Sequence, residues 1–148
     1  MQIQTKYFGE TMIKQEEILT FLQGIPGFPQ EKQFVLLRFE EAGLFQVLQS
    51  TNSETLAFVV VNPFLFVEDY QLTLDDTILE QLAITKEEDV HTLAIVTVKD
   101  PLTKSTANLQ APIIINHSNQ LAKQYITKSE QYTPREPIFQ TPSQKEVD

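Results

Sequence analysis

This sequence predicts a mainly β protein, a small barrel-like single domain with one or two short helices. Most of the chain consists of short runs rich in β-branched and aromatic residues, which Gly, Pro, Asn and Asp separate at fairly regular spacing. That spacing favours a sandwich or a small barrel over alternating strands and helices. The runs FVVV and LAIVTV are almost continuously apolar, which is typical of strands covered on both faces.

The predicted strands are, in chain order, IQTKYF, EEILTFL, QFVLLRF, LFQVLQS, TLAFVVVNPF, YQLTL, HTLAIVTV, NLQAPIIIN and QLAKQYI. Pro112 lies inside the eighth of these runs. Proline has no N–H to donate to a strand ladder, so Pro112 predicts an edge strand or a bulge at that point.

One helix is predicted in the segment DDTILEQLA. Asp75, Asp76 or Thr77 can cap its N-terminus, because a side-chain oxygen there accepts a hydrogen bond from the first turn. Its buried stripe is expected to consist of Ile78, Leu79 and Leu82. A shorter helical turn is predicted at TKEED.

The chain divides into a barrel-like domain at residues 1–127 and a polar, proline-punctuated tail at residues 128–148. The composition of the tail predicts that it is mobile. Ile138 and Phe139 are its only adjacent apolar pair, so the tail is expected to dock at that point, on the domain or on a partner.

The turn GIPGF, residues 24–28, combines turn residues with two large apolar side chains. Pro26 and Gly27 suit the central positions of a type II turn, since proline fixes φ and glycine accepts a positive φ. Ile25 and Phe28 are then its first and last residues. Two interpretations remain open: a lid over one end of the barrel, or an exposed anchor for a partner.

Acidic residues are concentrated in the middle of the chain. The whole chain carries a net charge of -9, and residues 40–100 alone carry -10. A segment of this sign repels nucleic acid, since affinity for phosphate depends on cations. It would attract a basic protein partner, although acidity that merely keeps the protein soluble explains the same pattern.

Residues for catalysis or metal binding are scarce. The chain has no cysteine, which excludes disulfides and indicates a reducing compartment. His91 and His117 lie at strand margins and are interpreted as structural, whereas their meeting in a cleft would favour an enzyme or a sensor. No nucleotide-binding, zinc-protease or serine-hydrolase motif occurs. We therefore expect no enzyme, no metal and no cofactor.

The N-terminus lacks the apolar core of a secretory signal, and no apolar run approaches the roughly 18 residues of a membrane span. These features predict a cytoplasmic protein. A monomer without contact to a membrane or to nucleic acid is expected.

The segment NPFLFVEDYQLTL, residues 62–74, combines aromatic residues with two carboxylates. As a strand, it would place Phe64 and Phe66 on one face and Leu65 and Val67 on the other. Two interpretations are open. If both faces are covered, these side chains belong to the core; if the strand is an edge, one face can take a partner.

Three segments together resemble the flagellar assembly factor FliW family: GIPGF, NPFLFVEDYQLTL and TANLQAPIIIN (residues 106–116). The likeness extends from TKYFGE to QYI. The motif residues expected to determine the fold are Gly24, Ile25, Pro26, Gly27, Phe28, Pro63, Asn108, Pro112 and Asn116.

The resemblance implies a non-enzymatic, cytoplasmic β-barrel-like protein that binds flagellin and the RNA-binding translational repressor CsrA. In this family, flagellin retained in the cell occupies the factor and leaves the repressor free, and flagellin export reverses the exchange. An alternative is an export chaperone for flagellin without repressor binding. A third is a ligand-binding barrel with a pocket beneath the GIPGF turn. The candidate partner-binding residues are Phe64, Phe66, Glu68, Asp69, Tyr70, Glu87, Glu88 and Asp89.

Overall fold

The computed structural model describes residues 1–128 and 130–139. The strands are β1 (Gln2–Thr5), β2 (Gly9–Met12), β3 (Leu19–Phe21), β4 (Gln33–Arg38), β5 (Gln46–Ser50), β6 (Ala57–Val61), β7 (Val90–Thr97), β8 (Thr106–Ala107), β9 (Ile113–Asn116), β10 (Leu121–Gln124) and β11 (Glu136–Pro137). The helices are α1 (Pro63–Phe66) and α2 (Asp76–Gln81), with 3-10 turns at Gln15–Glu17, Glu87–Asp89 and Leu102–Lys104.

Seven strands close into a barrel in the order β7-β6-β5-β4-β3-β10-β9, and β9 pairs back onto β7. All these pairings are antiparallel except the short parallel pair of β3 and β10. The two-stranded ribbon of β1 and β2 and the short pair of β8 and β11 lie outside this ring. The predicted mainly β, barrel-like fold with two short helices is confirmed.

The barrel interior is filled by apolar side chains that alternate inward along the strands. Phe21 and Phe34 are fully buried, with ring centroids 5.3 Å apart. The other buried members of this core are Leu19, Ile25, Leu48, Val60, Leu93, Ile113, Ile115 and Ala122. A continuously packed interior of this kind leaves the outer surfaces of the barrel as the places where partners can bind.

The GIPGF turn adopts the predicted conformation. The N–H of Phe28 donates to the carbonyl oxygen of Ile25 over 2.7 Å, and Gly27 has a φ of 90°. Ile25 is 2% exposed and belongs to the barrel core, whereas Phe28 is 44% exposed. The first apolar residue of the turn therefore closes the barrel, and the last lies on the surface.

The segment NPFLFVEDYQLTL is not a strand, and the strand prediction for YQLTL is also wrong. Asn62 accepts a hydrogen bond from the N–H of Phe64 over 3.0 Å, and Pro63 occupies the first turn of α1. An asparagine cap followed by proline starts a helix, because proline has the required φ and the missing N–H is not needed there. Phe64 and Phe66 consequently do not share one face as they would in a strand.

The prediction of an edge or bulge at Pro112 is wrong. The strand β9 is paired on both sides, with β7 and with β10. Pro112 immediately precedes this strand and is buried, so its missing N–H removes no bond from the ladder.

Two asparagines of the same motif make side-chain hydrogen bonds. Asn108 accepts from the N–H of Ala111 over 3.0 Å. Asn116, at the end of β9, donates to the carbonyl oxygens of Leu82 and Ala83 over 2.8 and 3.1 Å. Asn116 thereby ties the end of α2 to the barrel.

The predicted helix is confirmed in α2, and Asp75 is its cap. A carboxylate oxygen of Asp75 accepts from the N–H of Ile78 over 3.0 Å, and this hydrogen bond lowers the pKa of Asp75. Ile78 and Leu82 are each 1% exposed and pack against Ile114. The shorter turn predicted at TKEED is the 3-10 turn at Glu87–Asp89.

Within residues 130–139, Tyr132 and Ile138 pack against the barrel with Phe139 beside them, so the apolar pair of Ile138 and Phe139 docks on the domain, which is one of the two places expected for it. Tyr132 and Ile138 are 7% and 5% exposed, and β11 pairs with β8. The segment has few aromatic and aliphatic residues, yet these supply its buried apolar area. The overall composition of the predicted tail does not indicate this burial. Ser129 and residues 140–148 of the predicted tail lie outside the described residues.

Candidate protein-binding surface

The helix α1 turns two apolar side chains outward. Phe64 is 45% exposed and Leu65 is 64% exposed. Phe66 is half-buried, and its ring lies 5.7 Å from the ring of Phe45 and 5.8 Å from the ring of Phe139. Phe64 is therefore placed to contact a partner, whereas Phe66 holds the helix on the barrel.

Tyr70 lies beneath Phe64 and is only 4% exposed. Its hydroxyl donates to the carbonyl oxygen of Leu109 over 3.0 Å, and its ring lies 5.2 Å from the ring of Phe64. Burial, together with the neighbouring Tyr132, raises the pKa of Tyr70 to about 12. Tyr70 therefore lies under the surface and supports the ring of Phe64.

Tyr132 fixes the loop that carries the acidic residues, a role that the sequence did not indicate. Its hydroxyl accepts from the N–H of Gln71 over 3.1 Å and donates to the carbonyl oxygen of Asp69 over 3.3 Å. The ring of Tyr132 lies 4.8 Å from that of Tyr70. An isolated tyrosine in a polar segment was the only signal in the sequence that could have pointed to it.

Phe64 lines two open grooves on the surface. Glu68 and Asp69 line one groove together with the end of the C-terminal segment. Glu87 lines the other, with Lys86 beside it. We call the combination of Phe64, Leu65, Glu68, Asp69 and Glu87 the Phe64 surface.

Glu88 and Asp89 follow Glu87 in the chain and do not line these grooves. Glu88 is exposed and Asp89 is half-buried in the 3-10 turn. Three of the five predicted carboxylates therefore line a groove that Phe64 also lines: Glu68, Asp69 and Glu87.

The two histidines are close together, although far apart in the sequence. The ring centroids of His91 and His117 are 5.1 Å apart, with an angle of 23° between the planes. Both side chains are exposed and do not line the grooves beside Phe64. They form a stacked pair on the surface and not a pair within a cleft.

In the part of the chain that the structure describes, no three His, Cys, Asp or Glu side chains converge as a metal site requires. None of the helices described there is long and apolar enough to cross a membrane. The Phe64 surface combines grooves, exposed apolar side chains and charged groups, which are typical features of surfaces that bind other macromolecules.

The fold and this surface define a small, closed β-barrel that carries an acidic aromatic surface outside its packed core. The sequence model described as FliW protein matches residues 2–138. The chain belongs to the FliW family of flagellar assembly factors.

Individual relatives agree over almost the whole chain. The flagellar assembly factor FliW of Bacillus licheniformis is 49% identical over 138 residues, which cover 93% of this chain and 96% of the relative. That of Oceanobacillus iheyensis is 46% identical over 146 residues, 99% of each chain. A crystal structure of the flagellar assembly factor FliW superposes with a TM-score of 0.91 at 46% identity, covering 96% of this chain and 99% of the other.

Proposed function

We propose that this chain is a non-enzymatic partner switch that binds flagellin and a CsrA-type translational repressor in the cytoplasm. Flagellin that accumulates before export occupies the protein and leaves the repressor free to block flagellin translation. After export, the protein binds the repressor and translation resumes. Membership of the FliW family and its resemblance in three motifs support this proposal.

The observation that carries the repressor half of the proposal is the chemistry of the Phe64 surface. A repressor that binds RNA presents cations to the phosphates. Glu68, Asp69 and Glu87 offer carboxylates of the complementary sign around an exposed aromatic side chain. An aromatic anchor surrounded by complementary charge combines affinity with fast association.

The test is titration calorimetry of the purified protein against the repressor, alone and with flagellin already bound. We expect binding that flagellin abolishes. The double variant Glu68→Lys with Glu87→Lys is expected to weaken repressor binding by about 10-fold, because it places cations opposite cations.

Glu54→Lys is the matched control, since Glu54 is an exposed carboxylate in the turn between β5 and β6 and outside the Phe64 surface. It should leave the affinity within about two-fold, as an isolated surface charge contributes little. Equal affinities of the wild type and the double variant, at low as well as physiological salt, would remove the Phe64 surface from the proposal. Tight flagellin binding without repressor binding would leave an export chaperone.

A further inference from the structure

A concave site lies beside the GIPGF turn. It is a pocket of about 400 Å³, within the range of about 300–1,000 Å³ that is usual for small-molecule sites. The turn, the end of α2 and the strand β10 form its walls. We call it the turn pocket. It shares no lining residue with the grooves beside Phe64, and the barrel interior itself is packed.

The walls of the turn pocket are largely apolar. Leu22, which is 54% exposed, lines it together with Pro26 and Pro29 of the turn. Leu82 and Ala122, which are both buried, line it on the side of the protein core. Contact with such walls removes apolar surface from water, so they favour a ligand with a hydrocarbon chain.

Hydrogen bonds fix two sides of the turn pocket before a ligand arrives. The N–H of Gly24 donates to the carbonyl oxygen of Phe21 over 2.9 Å. The carbonyl oxygen of Leu82, at the end of α2, accepts from the side-chain amides of Asn116 and Asn119 over 2.8 and 3.0 Å. A ligand therefore loses little free energy in ordering these walls. The two amides also offset the negative end of the helix, which would otherwise repel an anion.

One cation borders these apolar walls. Among the described residues that line the turn pocket, Lys123 is the only charged one. Its ammonium group donates to the side-chain oxygen of Gln81 over 2.7 Å, and no described carboxylate lies within 4 Å of it. An ammonium group has three donors, so Lys123 retains donors for a further acceptor. A cation without a carboxylate partner beside an apolar pocket indicates an anionic ligand, although the chain as a whole carries a net charge of -9.

We propose that the turn pocket binds a small amphipathic carboxylate of the fatty-acid type. The carboxylate accepts a charge-assisted hydrogen bond from Lys123, and the hydrocarbon chain covers Leu22 and the prolines of the turn. A single cation matches a single negative charge, which favours a carboxylate over a phosphate ester. Apolar walls with a few placed polar groups are typical of such sites. This proposal does not depend on the exchange of protein partners.

The test is a titration of the full-length protein with sodium octanoate, followed by the backbone amide signals in NMR spectra. Octanol is the uncharged probe of the same chain length. We expect saturable octanoate shifts at residues 22–29 and 122–124, and octanol binding that is weaker by about 10-fold, because octanol has no charge to pair with Lys123.

Two pairs of variants separate the contribution of the charge from that of the apolar wall. Lys123→Met keeps an apolar stem and should weaken octanoate binding by about 10-fold, whereas Lys104→Met should leave it within about two-fold. Lys104 is exposed and does not line the pocket. Leu22→Ser should weaken the binding of both probes by about five-fold. Ile126→Ser, at a position that is 67% exposed and outside the pocket, should change neither.

Three results would overturn the proposal. The first is the absence of saturable octanoate binding to the wild type. The second is octanol binding as tight as octanoate binding, or an unchanged octanoate affinity in Lys123→Met, since either would mean that the pocket only adsorbs apolar chains. The third is a set of amide shifts outside the pocket. Circular dichroism melting checks that the variants are folded, and Lys123→Gln is a second variant with the same expected loss.

Discussion

At the scale of single residues, Tyr70 joins the candidate surface to the body of the protein. Its ring supports Phe64 and its hydroxyl donates to the carbonyl oxygen of Leu109. The neutral side chain is the stable form in the folded state, because burial raises its pKa to about 12. An ionised Tyr70 would also lose the proton that it donates to Leu109.

The raised pKa of Tyr70 predicts a loss of stability in alkali. The unfolded tyrosine has a pKa of about 10. The contribution of Tyr70 to the free energy of unfolding is therefore complete below about pH 10 and is lost as the pH rises towards 12. Tyrosinate absorbance and denaturant unfolding measured over this range check the prediction. Tyr70→Phe should remove the tyrosine that ionises at the highest pH; if that ionisation persists, it belongs to another tyrosine.

Gly24 and Gly27 form a matched pair within one turn. Both have a positive φ, of 70° and 90°. A β-carbon at Gly24 would lie 2.6 Å from the carbonyl oxygen of Pro29, whereas one at Gly27 would have no neighbour within 4 Å. The two positions thus share the backbone strain of a non-glycine residue, and only Gly24 adds a clash with the backbone.

Gly24→Ala is expected to lower the free energy of unfolding by about 3 kcal/mol, because strain and clash add. Gly27→Ala should cost about 1 kcal/mol, from strain alone. Denaturant unfolding of both variants measures the difference. Equal losses would mean that the turn relaxes around the new methyl group.

At the scale of elements, the C-terminal segment acts as a brace for the Phe64 surface. The strand β11 pairs with β8, Tyr132 fixes the loop at Asp69, and Phe139 packs against Phe66. The loop that carries Glu68 and Asp69 has no strand ladder of its own. Its position depends on these contacts with a segment about sixty residues later in the chain.

Ile138→Ala is expected to lower the free energy of unfolding by about 2–5 kcal/mol, the range for truncation of a buried isoleucine. Ile138 is 5% exposed, whereas Ile126 is 67% exposed. Ile126→Ala is therefore the control, with an expected change within about 0.5 kcal/mol. A neutral effect of Ile138→Ala in denaturant unfolding would mean that the segment does not dock in solution.

At the scale of the whole molecule, the closed barrel encloses the packed core, and the side chains that are exposed for binding lie outside it. Pairing of β9 with both β7 and β10 removes the free edges of the sheet within the ring, and Ile25 plugs the interior. The short helix α1 lies outside the ring and carries Phe64 and Leu65 of the Phe64 surface. The packed core is thus separate from the side chains that are exposed for binding.

Local signals in the sequence determined much of this protein. Alternating apolar runs predicted the barrel strands, Pro26 and Gly27 predicted the turn, and Asp75 was one of three predicted caps for α2. The strands, the turn and the helix cap each depend on residues that are close together in the chain, so the sequence alone is enough to predict them. The family likeness came from motifs of the same short range.

Tertiary structure alone decided the arrangement of the surfaces. The local cap at Asn62 and Pro63 makes only Pro63–Phe66 helical, and the packing of Phe66 against Phe45 and Phe139 places this helix on the barrel. Contacts such as Tyr132 with Asp69 join residues 63 positions apart. Closure of the barrel brings such residues together, and no local propensity encodes which distant side chains will meet.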